Sequence, residues 1–405
     1  MAESRRFKQA VPAAIVVGAG PAGLVAAITL ANAGVPTVLA GPSPDDNRTT
    51  ALLGGSVTAL ETLNVWPRCA AKAAPLRVMR IVDDTGRLLR APEVSFDSME
   101  IGLEAFGQNI ANRDLLLALA QCAEDLDKLT WVKRKVTAIE PQPDAVTAHL
   151  ESGESFSAPL LIAADGRHSM CREAAGIDIE TRRYRQSALT VCLSHRRPHH
   201  DVSTEFHTEH GPFTLVPLPG SRSSLVWVMT PDAAETVASL SDEMLAKEIE
   251  RRSHAILGAV TVEPGRGVFP LSAMRARVFG QNRIALVGEA AHVIPPIGAQ
   301  GLNLGLRDAA VIAELAIDAW RHGQDVGAAA LLESYDRRRQ SDIGSRSLVI
   351  DVLNRSLLSD FLPAQGLRGL GLHMIDRIGP LRRALMREGT APTVNEPRLM
   401  RGEAL

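Results

Sequence analysis

The sequence predicts an α/β fold that carries an inserted antiparallel sheet and a helical region at its C-terminus. Three apolar runs, each interpreted as a buried strand, end in turns that begin at Gly18, Asp165 and Gly288. Between residues 187 and 279, strand-like runs are separated by turn residues, a pattern typical of antiparallel strands. Because 405 residues are too many for one hydrophobic core, we expect more than one domain.

The first apolar run, residues 13–17, leads directly into the glycine-rich turn GAGPAG at 18–23 and then into a helix. Strand, turn and helix in this order predict a Rossmann-like dinucleotide site. Gly18 makes the tight turn, Gly20 lets a pyrophosphate approach the backbone, and Gly23 lets the helix pack closely on the strand.

The second strand ends at Ala40 without the acidic residue that usually binds the adenosine ribose. Asp45 and Asp46 follow a few residues later. Either these carboxylates substitute for the missing acid or other groups hold the ribose. Arg48 could pair with phosphate, although a solvated loop arginine is the simpler interpretation of its position.

Composition excludes several classes of function. The formal net charge of −2 gives no basic field that would favour nucleic acid. The four cysteines lie far apart, without metal or disulfide spacing, so a reducing cytoplasm is the expected location. No segment is long and apolar enough to span a bilayer. The N-terminal basic and apolar residues indicate a tail and a first strand rather than a signal peptide.

The segment from 48 to 124 supplies further predicted elements. Residues 52–66 have the spacing of a helix, and residues 76–93 alternate like a hairpin that turns at 84–86. Residues 108–124 indicate a helix and its entry, with Asn112 as a plausible cap.

A buried strand at residues 160–164 ends in Asp165-Gly166. An acid at the carboxyl end of such a strand can accept hydrogen bonds from ribityl or ribose hydroxyls. The alternative is an Asx turn that closes the strand, a common role for Asp-Gly.

The segment 187–279 is predicted to form antiparallel strands with one helix at residues 241–257. Its histidines suggest a metal site, but they lack a strand or helix register and have few carboxylates nearby, so surface or substrate-facing roles are favoured and no metal is expected. These residues are His195, His199, His200, His207 and His210.

The stretch 283–308 joins a short strand to a helix through a loop rich in proline and glycine. Pro295 and Pro296 stiffen the loop, while Gly298 and Gly301 let the backbone approach a flat ligand. The helix start then presents N–H groups and a positive dipole end, which favour phosphate or an anionic ring. The alternative is an ordinary strand–loop–helix connection.

After Asp308 the chain is predicted to be helical, at 309–320, at 328 to about 349, and in patches up to Met386. Leu, Met and Phe alternate there with Arg. A helical cap is the simpler interpretation, and a membrane-surface or partner-docking element is the alternative.

These elements divide the chain into three expected parts. The discontinuous nucleotide domain comprises 1–75, 101–186 and 280–345. The substrate domain comprises 76–100 and 187–279. The C-terminal helical region comprises 346–405.

The glycine turn at 18–23, Asp165-Gly166 and the 283–308 stretch, in that order, resemble the class A flavin monooxygenases of the p-hydroxybenzoate hydroxylase type. The tract PPIGAQGLNLGLRD, and RTTAL at 48–52, look most like the UbiH/UbiF-type ubiquinone-biosynthesis hydroxylases. The family's third motif is Gly-Asp, whereas this chain has Gly288-Glu289. By the same resemblance, Gln108 occupies the position of a glutamine that contacts the flavin.

The resemblance and the motifs together assign cofactor contacts to residues of all these segments: Gly18, Gly20, Pro21, Ala22, Gly23, Arg48, Gln108, Asp165, Gly166, Glu289, Ala299, Gln300, Gly301, Leu302 and Asn303. Pro295, Pro296 and Gly298 are expected to wall the flavin pocket. No residue is assigned as an acid or a base.

The resemblance implies FAD as cofactor and NAD(P)H as reductant. It further implies that O2 gives a flavin hydroperoxide that hydroxylates the ring of a prenylated phenol in ubiquinone biosynthesis. A flavin-dependent reductase of prenyl chains, and a non-catalytic FAD-holding subunit of a quinone-synthesis complex, remain alternatives. We expect a cytoplasmic protein that contacts the inner membrane face or such a complex peripherally.

Overall fold

The computed structural model describes residues 11–86, 92–295, 300–358, 378–390 and 396–405. Its strands, in chain order, are β1 Ala14–Val17, β2 Thr37–Ala40, β3 Thr49–Leu53, β4 Ala73–Pro75, β5 Val78–Asp83, β6 Val94–Asp97, β7 Gly107–Ala111, β8 Leu129–Val132, β9 Val136–Pro141, β10 Val146–Leu150, β11 Ser155–Ala158, β12 Leu160–Ala163, β13 Ile179–His195, β14 Val202–Thr208, β15 Gly211–Leu218, β16 Arg222–Met229, β17 Val260–Val262, β18 Gly267–Ala276, β19 Gly280–Gln281, β20 Ile284–Leu286 and β21 His292–Val293.

The α-helices of the same ranges are α1 Pro21–Asn32, α2 Gly54–Thr62, α3 Asn112–Glu124, α4 Met170–Ala174, α5 Pro231–Ala238, α6 Asp242–Arg252, α7 Gln300–Arg321, α8 Ala329–Leu358 and α9 Gly379–Thr390. Short 3-10 turns lie at Ser98–Ile101, Gly288–Ala290 and Arg398–Arg401, among other places.

The first sheet has the strand order β19-β20-β12-β1-β2-β8 in the described ranges. All neighbours are parallel except the short edge strand β19. Its central strands are buried on both faces, as expected for a parallel sheet covered by helices. Helices α1 and α7 pack against each other in the core beside it.

The second sheet is mainly antiparallel, in the order β21-β18-β13-β16-β15-β14-β5-β6, with β17 on β13. One face is apolar and forms a second core beneath α5 and α6. Strand β13 runs across the boundary that was expected between the nucleotide domain and the substrate domain, between residues 186 and 187, so the two domains share this strand. The predicted fold class is confirmed.

Several predicted elements have different bounds. The helix expected to begin near Leu52 is preceded by strand β3, because that segment pairs with β7. The hairpin partner of β5 begins at Val94, later than expected. The helix expected up to Leu257 ends at Arg252 and is preceded by the unexpected helix α5.

Asn112 was also predicted in the wrong role. Helix α3 begins at Asn112 itself, and Ala111 is the capping position. The Asn112 amide instead donates to the Asp46 carboxylate, at 2.8 Å. Sequence spacing could not show this because the two residues are far apart in the chain.

The C-terminal segment 396–405 packs on the nucleotide domain, where its 3-10 turn contacts α2 and α7. Leu399 and Met400 are buried there, and Arg398 bonds Asp318 of α7 through both carboxylate oxygens. Among the described residues, no helix has the length and apolarity to cross a membrane.

Candidate active site

Three motif loops meet at one edge of the first sheet. Strand β1 lies beside β12, and β12 lies beside β20, in parallel register, so the residues that follow them emerge side by side. Gly18, Asp165 and Gly288 are therefore neighbours in space although they are far apart in sequence. The carboxyl edge of parallel strands is where open α/β sheets bind ligands.

The glycine turn has the geometry that the motif predicts for the backbone. Gly18 has φ +105°, and a Cβ there would lie 2.2 Å from the Ala164 carbonyl oxygen. A Cβ at Gly23 would lie 2.0 Å from the Gly18 carbonyl oxygen, so helix and strand touch at that point. A Cβ at Gly20 would meet no atom of the described residues within 4 Å. The three glycines are thus required for two different reasons, packing at the outer positions and open approach at the middle one.

The start of α1 is suited to an anion. Gly20 is its capping position and supplies no side-chain hydrogen bond, and Pro21 is the first helical residue. No acidic residue lies in the first turn. The first N–H groups and the positive end of the helix dipole therefore face the open side of Gly20 without a capping side chain.

The third loop packs against α1 and α7 through small residues. Gly288 has φ +58°, and a Cβ at Gly305 of α7 would lie 3.1 Å from the Gly288 Cα. Ala22 of α1 contacts the same point, since a Cβ at either glycine would lie 3.5 Å from the Ala22 Cβ. The two helices and the loop can approach this closely only because none of the three residues is large.

The Asp165 carboxylate accepts hydrogen bonds within its own turn, as the Asx-turn interpretation of Asp165-Gly166 predicts. One carboxylate oxygen accepts the Ser169 hydroxyl at 2.6 Å, and the other accepts the Cys171 N–H at 3.1 Å. Gly166 follows with φ +82°, and a Cβ there would meet nothing within 4 Å. The Asp165 carboxylate thus organises its own loop, while the Gly166 backbone remains open to a ligand.

Asp46 is already engaged by neighbouring side chains. It accepts two side-chain hydrogen bonds from Arg48, at 2.8 and 2.7 Å, in addition to the one from Asn112. Burial alone would raise the pKa of Asp46, but these hydrogen bonds lower it below its ordinary value. A carboxylate held in this way is poorly placed to substitute for the missing ribose acid, and Asp45 is exposed.

Arg48 and Glu289 lie close enough for their charges to interact. Hydrogen bonding to Asp46 raises the pKa of Arg48 against the effect of burial, and the nearby charge of Glu289 adds to the rise. Glu289 also lies 3.5 Å from the Arg167 guanidinium, and both side chains are about half exposed. Two arginines and one glutamate therefore flank the edge at which the loops meet.

The start of α7 is attached to strand β3. The Asn303 amide oxygen accepts the Leu53 N–H at 2.8 Å, and its amide nitrogen donates to the Ala51 carbonyl, also at 2.8 Å. Among the described residues, nothing lies within 4 Å of a Cβ built at Gly301. Gln108 lies opposite Leu52 in the neighbouring strand β7, one strand away from this attachment.

The predicted pocket loop is described only in part. Pro295 is buried. Pro296, Gly298 and Ala299 lie outside the described residues. Gln300 and Leu302 belong to the first turn of α7.

A buried charged cluster behind the third loop escaped prediction. Asp308 of α7 bonds His292 and Arg339, and all three side chains are buried. Arg339 lies within the run RRRQ, whose charge is typical of an exposed helix surface. In the sequence, the only indication of this cluster was Asp308 itself, an acidic residue on an otherwise apolar helix face. That indication did not show that His292 and Arg339 are its partners.

The histidines of the second sheet have local partners. His195 bonds the Arg197 carbonyl and Ser223, and His207 bonds Glu205. His199 bonds the Leu218 carbonyl. Within the described part of the chain, no group of three or more His, Cys, Asp or Glu side chains could hold a metal ion.

Comparison with known proteins identifies the family. A profile described as the FAD binding domain matches residues 11–344. The chain is 35% identical, over 403 residues, to ubiquinone hydroxylase UbiL of Rhodospirillum rubrum, and the alignment covers 96% of this chain and 93% of that protein. This chain belongs to the FAD-binding monooxygenases of the ubiquinone-hydroxylase group.

Other members and solved structures agree with this assignment. The 3-demethoxyubiquinol 3-hydroxylase of Escherichia coli is 30% identical over 383 residues, which cover 92% of this chain and 96% of that one. The p-nitrophenol 4-monooxygenase PnpA of Pseudomonas putida has the same fold, with a TM-score of 0.76 at 20% identity, over 93% and 97% of the two chains. The resemblance inferred from sequence is confirmed, and so is FAD as the cofactor.

The described residues fit this cofactor. Backbone is open to a ligand at Gly20, Gly166 and Gly301, and the start of α1 lacks a cap. When bound, FAD supplies the redox chemistry, accepting hydride from NAD(P)H and activating O2. The chain itself must bind the diphosphate, orient the ring and exclude water.

Proposed function

We propose that this chain hydroxylates the aromatic ring of a prenylated phenol in ubiquinone biosynthesis, using NAD(P)H and O2. The observation that carries the proposal is the meeting of three FAD-family loops at one sheet edge, next to the start of α7. The names of two similar relatives, ubiquinone hydroxylase and 3-demethoxyubiquinol 3-hydroxylase, support the substrate class.

Within this proposal, backbone groups bind most of the cofactor. The N–H groups that follow Gly20 receive the diphosphate, and those near Gly301 receive the pyrimidine edge of the ring. Glu289 accepts ribityl hydroxyls, and Arg48 contributes positive charge nearby. Gln108 contacts the ring from β7. Asp165 acts indirectly, by shaping the loop that presents Gly166.

A cavity of about 350 Å³ supports the proposal that the substrate carries an apolar part. Its lining includes the apolar Met274, Val293, Ile294 and Pro295, the aromatic Tyr184, and the charged Glu180, Arg182 and Arg275. Pro295 leads directly into the loop before α7. We propose that the prenyl chain occupies this cavity while the phenol ring faces the flavin.

The reaction test uses purified holoenzyme, a soluble prenylated phenol and isotopically labelled dioxygen. We expect NAD(P)H oxidation coupled to a product that contains one labelled oxygen atom. Product that forms equally well without oxygen, with a saturated prenyl double bond, would instead identify a reductase. NAD(P)H oxidation unchanged by any candidate phenol would contradict catalysis by this chain alone.

We also propose peripheral contact with a membrane, through α9 and the neighbouring 3-10 turn. Arg382 of α9 bonds Glu100 of that turn at 2.7 Å, which joins the two segments. Met99, Ile378 and Leu385 expose 70%, 42% and 46% of their surfaces. Apolar side chains beside arginines are suited to an anionic lipid surface.

The membrane test compares liposome flotation of the wild type with Met99→Ser/Leu385→Ser. Met244→Ser is the control, because Met244 is 58% exposed on α6. We expect flotation on anionic vesicles to fall only in the double variant. The segment 396–405 must be retained, since loss of the buried Leu399 and Met400 would disturb the fold. Equal flotation of all three proteins would contradict this surface.

A further inference from the structure

The Asp308 carboxylate joins four segments behind the third loop. Its side chain is fully buried. One oxygen accepts the Gly288 N–H at 2.9 Å and the His292 Nε2 at 2.6 Å. The other accepts the Arg339 Nε at 2.6 Å. A single carboxylate thus connects the residues after β20, strand β21, α7 and α8.

The charge of this carboxylate is compensated. Burial raises the pKa of Asp308, but interactions with His292, Arg339 and the Gly288 N–H outweigh burial and lower it. Arg339 in turn donates to Asp342 at 2.7 Å. An ionised Asp308 can therefore accept all three hydrogen bonds at once. A neutral amide could not, because it has one acceptor oxygen and a donor in place of the other.

The hydrogen bond from Gly288 has a direct geometric consequence. Gly288 has φ +58°, and the next residue is Glu289. The peptide on the N-terminal side of Gly288 is held by Asp308, while its Cα lies against Gly305 of α7. Without Asp308, the partly buried Gly288 N–H would lose its acceptor and the turn would lose its polar attachment.

We propose that Asp308 is a positioning residue: it fixes the Gly288 turn so that the Glu289 carboxylate is presented to the bound cofactor. This inference rests on the proposed role of Glu289 as a cofactor contact. It assigns to the buried cluster a task beyond joining α7 to α8.

Asp342 provides a matched control. Asp308 and Asp342 both accept from Arg339, and Asp308 also accepts the Gly288 N–H. Asp308→Asn and Asp342→Asn each remove one carboxylate from the same arginine. We expect both variants to lower the melting temperature. We expect Asp308→Asn alone to weaken FAD binding about tenfold or more, the range for a lost charge-assisted hydrogen bond.

The measurements are FAD affinity by titration of the apoprotein, and the visible circular dichroism of the bound flavin in the holoenzyme. The dichroism reports the environment and orientation of the flavin ring. If Asp308 had only a structural role, its substitution would leave that signal unchanged. Equal losses of FAD affinity in the two variants, with unchanged dichroism, would overturn the inference.

A double-mutant cycle with Glu289→Ala tests whether Asp308 affects FAD binding through Glu289. If Asp308 acts through Glu289, Asp308→Asn should cause less than about a threefold further loss of FAD affinity in the Glu289→Ala background. A full further loss would overturn the inference. Failure of the hydroxylation proposal is seen separately, as absence of oxygen-dependent product from wild-type enzyme.

If Asp308→Asn does not fold, His292 gives the second comparison. His292→Gln retains a donor near the Nε2 position, whereas His292→Leu removes it. We expect FAD affinity and flavin dichroism to be retained in the glutamine variant and reduced in the leucine variant. Equal behaviour of the two at equal stability would overturn the inference.

Discussion

Gly20→Val should separate cofactor binding from folding. Gly20 has φ −73° and ψ 174°, a backbone conformation that valine adopts readily. In the part of the chain that the structure describes, no atom lies within 4 Å of a Cβ at this position. The folded state should therefore lose only about 1 kcal/mol, the cost of a poorer residue at a helix cap.

The loss in binding should be much larger. A branched side chain on the open side of Gly20 would keep the diphosphate away from the N–H groups at the start of α1. Losing two hydrogen bonds to a charged group, at about 1.5 kcal/mol or more each, amounts to about 3 kcal/mol. FAD affinity should then fall about 100-fold.

The assay is FAD titration of the apoprotein, followed by flavin fluorescence, together with thermal unfolding of the same apoprotein. Gly23→Val is the control, because a Cβ there would lie 2.0 Å from the Gly18 carbonyl oxygen. That variant should fail to fold well even without FAD. Wild-type FAD affinity in Gly20→Val would refute the proposed path of the diphosphate.

Four further outcomes are expected. Glu289→Ala should weaken FAD binding or slow flavin reduction about tenfold, with an unchanged melting temperature; titration and stopped-flow reduction check this. Asn303→Leu, which removes both hydrogen bonds to β3, should lower the free energy of unfolding by about 2 kcal/mol in urea unfolding, and wild-type stability would contradict the attachment. Leu399→Ala should cost about 2–4 kcal/mol because Leu399 is buried, whereas Leu385→Ala on the exposed side of α9 should cost little; equal costs would contradict the packing of the C-terminal segment. The folded pKa of Asp46 lies below its ordinary value of 3.8, so its pairing stabilises the protein above that pH and is lost as pH falls through the folded pKa. Asp46→Asn should therefore be less stable than wild type at about pH 7, and the difference should shrink as the pH falls below 3.8 and through the folded pKa of Asp46.

Features set by local backbone geometry were predictable from the sequence. Gly18 was assigned the tight turn and Gly23 the close packing of helix on strand. The structure has a φ of +105° at Gly18 and no room for a Cβ at Gly23. The fold class followed from the order of buried strands and from the change of pattern after residue 187.

Roles that depend on distant partners were not predictable. Asn112 has the residue type of a cap, yet its amide bonds Asp46, a residue brought near by the fold. Asp165 could have faced a ligand or its own turn, and only the positions of Ser169 and Cys171 distinguish the two. The Asp308 cluster joins side chains from three elements whose spacing in the sequence has no period.

The pairing of β18 with β21 has a consequence for motion during turnover. Met274 and Arg275 of the large sheet lie in ladder register with Val293 and His292, a few residues after Glu289. Strand β18 also pairs with β13 along much of its length. The large sheet is thus joined to the segment that follows Glu289 by the backbone hydrogen bonds of a strand pair, and not by a flexible linker. Opening them as two rigid bodies would break that ladder, so we expect substrate entry and product release to require only smaller movements of loops and side chains.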